Sequence, residues 1–179
     1  MTHHPDRPPI HRPVVHSRPV QPPAVRPDAG QTRSMTDTRT TQQWISYLNH
    51  ATTTLAGTPT LAGAYEALAR IWHTAAATTT PQTVRAELDW MLLAEAIADA
   101  RSQLAAVDPA ATHTTLNPTT PTPAEAAVAD EPGLRQAITH LMQATVAALR
   151  HIAADTEDLD TAYAIVHAAA LLHPFQEWP

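Results

Sequence analysis

The sequence predicts an all-α fold, an antiparallel bundle of four to five helices preceded by a disordered segment rich in proline, arginine and histidine. Three observations carry that expectation. Apolar residues recur at helical spacing in one segment after another from Trp44 to Leu172. These segments are punctuated by Thr-Pro and glycine signals of the kind that start and stop helices, and the first links between them are short, which favours antiparallel neighbours. Residues 1–34 hold 8 of the 17 prolines; at that density proline removes hydrogen-bond donors and fixes φ, so this stretch cannot build a core.

In chain order, residues 1–34 carry 5 of the 11 basic residues and 4 of the 11 histidines and read as an extended, polyproline-II-like or disordered tail. The functional readings of such a composition are a proline-motif ligand or, through His3, His4, His11 and His16, a loose metal-binding tail; the plain reading is a solvated extension. Met35 stands just before the first helical signals, and proline, arginine and histidine are what GC-rich codons yield, so translation from Met35 is another reading of this segment. The body of the protein is then one domain, residues 35–179, large enough to bury a core.

Thr40-Thr41-Gln42-Gln43 fits a capping box, in which Thr40 and Gln43 satisfy each other's free backbone N–H groups. Trp44, Leu48, Ala51 and Leu55 follow at i, i+4, i+7 and i+11, and Gly57 is a natural residue to close the helix. Thr58-Pro59 opens the second helix, whose seam is Leu61, Tyr65, Leu68, Trp72 and Ala75. The third, Pro81–Val107 with Thr80 as N-cap, is the longest uninterrupted helix candidate. It carries two apolar stripes: Val84, Leu88 and Met91 on one face, and Leu93, Ile97, Ala100, Leu104 and Val107 on nearly the opposite one, with Trp90 and Leu92 between. Two stripes predict a central helix packed on different neighbours along its length, the element around which the bundle is organised.

Asp108-Pro109 ends that helix, because a residue before proline is pushed out of the helical region. Residues 108–122 lack periodicity and read as an exposed loop, long enough to serve as a partner contact. Thr122-Pro123-Ala124-Glu125 opens a short helix to about residue 130, stopped by Pro132-Gly133. Leu134, Ile138, Leu141, Thr145, Ala148, Leu149 and Ile152 then mark a helix with one clean apolar face, away from Arg135, Gln136, Thr139 and Gln143. The acids of Asp155-Thr156-Glu157-Asp158 suit the positive end of a last helix. On it Leu159, Tyr163, Val166 and Ala170 share a side that Ala162, Ile165, Ala169 and Leu172 broaden, so it is expected to be largely buried before His173-Pro174 stops it. Wide apolar faces on the last two helices leave room for a homodimer interface.

Composition narrows the function. With no cysteine, disulfides and thiolate metal sites are excluded, and no run approaches the roughly 20 apolar residues that span a bilayer. No signal peptide is recognisable, so a cytoplasmic location is expected. All 11 basic residues are arginine, a composition resembling the coding style of high-GC actinobacteria. From residue 35 onward 6 arginines face 15 acids, and a body that acidic repels phosphate backbones, so no nucleic-acid partner is expected for the folded part.

The residues that could carry chemistry are few. Arg135-Gln136-Ala137-Ile138-Thr139-His140 has an Arg-x4-His spacing that resembles the motif of HEPN-family ribonucleases, small helical bundles that dimerise around it. The resemblance covers six residues, and it implies that Arg135 and His140 would stabilise the phosphate and assist attack by a ribose 2′-hydroxyl in a dimer. His151 and Asp155 have i, i+4 spacing but no evident third ligand, and His140 and His151, about 16 Å apart in rise, cannot share an ion. Glu95 and Asp99 continue the Val84, Leu88, Met91 face; buried, they would be candidates for acid–base or metal chemistry, whereas on a solvated face they are ordinary surface carboxylates. The sequence therefore assigns no catalytic, cofactor or metal site. Its expectation is a non-enzymatic helical binding or accessory protein that meets a protein partner or a second copy of itself, with the HEPN-like ribonuclease as the enzymatic alternative.

Overall fold

The computed structural model describes residues 29–77, 84–113 and 132–177. Five helices pack together: α1 (Ala29–Gly57), α2 (Leu61–Ala77), α3 (Val84–Val107), α4 (Pro132–Ala154) and α5 (Leu159–Leu172), with 3-10 turns at Pro109–His113 and His173–Phe175. The fold is the expected all-α bundle, and no strand occurs among the described residues. Residues 1–28, the cap at Thr80-Pro81 and the short helix expected at residues 122–130 lie outside the described residues.

The α1 seam falls where its periodicity puts it, with Trp44, Leu48, Ala51 and Leu55 all buried. Its start does not. The helix begins at Ala29 and runs through Thr40 without a break, so the capping box drawn at Thr40 and Gln43 is not the N-terminus. The last proline before it is Pro27, and none lies between Ala29 and Thr40 to break the helix. At the other end no glycine among the described residues takes a positive φ, so Gly57 is the last helical residue rather than a left-handed cap. Threonines 52, 53 and 54 return their hydroxyls to the carbonyls four residues back at 2.9 to 3.1 Å, which ties up groups that otherwise compete with the helix.

The cap of α2 is Thr60, not Thr58: its Oγ1 accepts from Gly63 N at 3.0 Å, while Thr58 N still donates to Thr54 O at the end of α1. Here the two helices come close. A Cβ on Gly63 would lie 3.2 Å from Leu55 Cδ1 and 3.0 Å from Thr60 Oγ1, so Gly63 gives α1 and α2 room to approach. Pairings of Leu55 with Gly63, Tyr47 with Arg70 and Trp44 with His73 descend along α1 as they ascend along α2, which makes the pair antiparallel. The six residues between α2 and α3 are too few to return along the bundle, and Arg101 meets Tyr65 as an antiparallel α2–α3 pair requires. The four-residue link between α4 and α5 has the same consequence.

The seam of α2 is rotated from the expected one. Ala64, Ala67, Leu68, Ile71 and Thr74 are buried, while Trp72 turns outward and Leu61, Tyr65 and Ala75 flank the core. The reason is that α2 lies against α1, α3 and α4 at once, and its alanine face admits those axes more closely than a face of large side chains would.

The organising helix is α4. It packs on α1, α5 and α2, and buries Leu134, Ile138, Leu141, Met142, Val146 and Leu149. Its flanking Arg135 and Thr139 are half-buried because neighbours close on both sides. Thr145, fully buried, satisfies its hydroxyl on Leu141 O at 2.7 Å. The central role expected for α3 is not observed. Only its second stripe, Leu93, Ile97, Ala100 and Leu104 with Trp90, is buried, facing α5 and α2; Leu88 and Met91 are 52% and 63% exposed and Leu92 is also outside. A helix at the edge of a bundle has one neighbour-facing side, and among the described residues no element packs on Leu88 and Met91.

Asp108 ends α3 as its Pro109 neighbour dictates, but the chain then makes the Pro109–His113 turn against α2 and α3, burying Ala111. That part of the expected exposed loop is packed; residues 114–122 lie outside the described residues.

Candidate functional site

Helix α5 starts at an N-cap. Asp158 has extended backbone, and its carboxylate accepts from Thr161 N at 2.9 Å. The Thr161 hydroxyl and then its backbone N–H, both bonded to the charged form, hold the Asp158 carboxyl below its ordinary value. From that start α5 presents two opposite faces. Ile165, Ala168, Ala169 and Leu172 enter the core against α3 and α4. Leu159, Tyr163 and Val166 are 82%, 73% and 50% exposed, and Ala170 continues their line. The expectation that this stripe would be buried is thus corrected: among the described residues the helices α5 packs on are α3 and α4, both on its other side.

The outer stripe is ordered in its own right. The ring of Tyr163 lies parallel to that of His167 one turn on, with centroids 6.3 Å apart and planes within 5°. Asp160 and His167, both exposed, border the stripe along one flank. Together with the outer patch Leu88, Met91 and Leu92 of α3 and the exposed Trp72 of α2, this leaves more large apolar surface in water than scattered single residues account for.

A second feature lies between α1 and α2, a cleft of about 450 Å³ lined by His50, Thr54, Leu55, Thr60, Glu66 and Arg70 among others. Sequence reasoning missed it. Arg70 is only 6% exposed. Its Nε donates to Glu66 Oε1 at 3.1 Å and its Nη2 pairs with the same oxygen, its Nη1 donates to Tyr47 O at 3.2 Å, and its guanidinium lies 4.5 Å from the centre of the Tyr47 ring. Its charge is balanced by Glu66 on its own helix, and its Nη1 and its cation–π contact reach Tyr47 of α1, so Arg70 clamps α2 to α1. Arg101 does related work between α3 and α2, its Nη2 donating to Tyr65 Oη at 3.0 Å beneath a 4.5 Å cation–π contact. The only early signal for the clamp was the i, i+4 spacing of Glu66 and Arg70, which any solvated pair shares.

The residues singled out by sequence are not brought together. Arg135 sits half-buried on one flank of α4, whereas His140 is exposed on its outer ridge, about 140° around the helix. Glu95 and Asp99 are both exposed on the outer face of α3, an ordinary solvated placement. His151 Nε2 and Asp155 Oδ2 approach to 3.4 Å with both side chains well exposed. Among the described residues no group of three or more histidines and carboxylates is arranged to hold a metal ion, and no helix is long and apolar enough to cross a membrane. Comparisons with protein-family models, with curated proteins and with solved structures find no match.

Proposed function

We propose that this protein is a non-enzymatic binding or accessory protein that presents the outer face of α5 to a protein partner. The observation that carries the reading is the line Leu159, Tyr163, Val166, Ala170, apolar at i, i+4, i+7 and i+11 and directed away from the core. Such spacing is what a docked helix or groove reads. Exposed tyrosine and leucine in a row are costly to leave in water and supply large contact area at small entropic cost when covered. The acidic body directs the partner class away from nucleic acid. Site-specific photo-cross-linking in cells tests this: a photoreactive residue at position 163 should give a defined protein adduct, and one at position 140, on the outer ridge of α4, should not. No adduct from position 163, or the same adducts from both, would reject the reading.

A further inference from the structure

We infer that the partner covering this face is a second copy of the chain, docked α5 against α5 in antiparallel fashion about a twofold axis beside Tyr163. The inference rests on the docking-face reading above and deepens it by naming the occupant.

When two identical helices pack face to face and antiparallel about a twofold axis, each flank meets the same flank of its copy, and levels along the helix are inverted. Asp160 and His167 lie on one flank, and the level midway between them is that of Tyr163 and Ala164. With the axis there, Asp160 of each chain comes level with His167 of the other, so the interface is bordered by two identical carboxylate–imidazole pairs. An imidazole N–H donates to a carboxylate whether or not the ring is protonated. In a parallel pairing the same flank would lie against the opposite one, and this match would be lost.

The apolar stripe fits the same register. Val166 comes level with the space between Leu159 and Tyr163 of the other copy, and Leu159 with the space between Val166 and Ala170. The two Tyr163 rings meet at the axis, each already aligned with its own His167. Leu159 and Val166 thus each find a gap in the image of the stripe, and Tyr163 meets its own image at the axis, as a self-complementary interface requires. A 14-residue helix is about 21 Å long, so the contact is small and the dimer should be a weak one, with a Kd of roughly 100 μM.

Sedimentation velocity on the full chain, from about 10 μM to 1 mM to bracket that value, tests the inference. The expected result is a monomer–dimer equilibrium that Tyr163→Glu weakens by about 30-fold or more, as loss of a central anchor does. Asp160→His and His167→Asp should each weaken it, and the double exchange Asp160→His with His167→Asp should restore it, because both pairs then re-form with their partners reversed. A chain that stays monomeric throughout overturns the inference; the docking-face reading then stands or falls on the adduct from position 163. A dimer indifferent to Tyr163→Glu, or an exchange that fails to restore it, also overturns the inference. The exchanged residues are exposed, so these variants keep the test decisive even if Tyr163→Glu were to misfold.

Discussion

Helices α4 and α5 are both rich in alanine and leucine and both periodic, yet one is wrapped and the other half bare. Around α4 stand α1, α2 and α5, and its apolar face is covered across its full width. Against α5, among the described residues, the packing helices are α3 and α4, so Ile165 and Leu172 are fully buried while Leu159 and Tyr163 are exposed. The difference teaches that an apolar stripe marks where a helix can be covered, whereas the number of neighbours decides whether it is. α3 repeats the lesson within one helix, its Leu104 side buried and its Leu88 side open.

The largest expected effect comes from truncating that covered side. Leu104→Ala should destabilise by about 2 to 5 kcal/mol, the range for a leucine removed from a core, and Leu88→Ala by no more than about 0.5 kcal/mol. Urea unfolding of the two variants checks this. Equal losses would mean that both stripes of α3 are packed and that the contrast between wrapped and bare faces is false.

A smaller effect belongs to the α1–α2 clamp. Glu66→Gln removes the counter-charge of nearly buried Arg70, and the loss should be roughly 1 to 3 kcal/mol, since a desolvated cation is left without its acid. Glu66 is itself 29% exposed, which keeps the loss below that of a deeply buried pair. Arg70→Met in the same background should recover part of it. An unchanged midpoint in Glu66→Gln would show that the clamp is ornamental and that apolar contact alone joins α1 to α2.

The smallest effect is at the start of α5. The Asp158 carboxyl is held below its ordinary value of 3.8 by Thr161, so its stabilising contribution is present above that value and is lost as pH falls through the lower folded-state value. Asp158→Ala should therefore lower the unfolding midpoint at pH 7, and the gap from wild type should close as the solution is acidified below the ordinary value. A gap that widens with acid would remove the N-cap from the account of how α5 is anchored.

Much of the bundle was legible in the residues. The seams Trp44 to Leu55 and Leu134 to Ile152, the stop at His173-Pro174 and the acidic opening of the last helix all rest on local rules, periodicity, capping and proline sterics, that need no knowledge of neighbours. What was not legible depends on neighbours. Both α3 stripes look alike on a helical wheel, and only the placement of α5 and α2 separates Leu104 from Leu88. Trp72 looked like a core residue because it falls at helical spacing in the Leu61, Tyr65, Leu68, Ala75 seam, but three surrounding helices drew the small face of α2 inward instead. Thr40 offered a good cap that α1 did not use, because no proline between Ala29 and Thr40 stopped the helix from extending upstream. Arg70 was hidden because a buried clamp and a solvated i, i+4 pair have the same spelling. The candidate site was legible only in part: the sequence drew the Leu159, Tyr163, Val166, Ala170 line correctly and put it on the wrong side of the molecule's surface.

The most direct test of the central claim is a pair of urea titrations at low micromolar protein, where self-association contributes least. Leu141→Ala, on the covered face of α4, should lose about 2 to 5 kcal/mol. Tyr163→Ala, on the bare face of α5, should stay within about 0.5 kcal/mol of wild type even though a larger side chain is removed. A loss at Tyr163 as large as the loss at Leu141 would contradict the account, because it would mean that the outer face of α5 is already packed within the single chain.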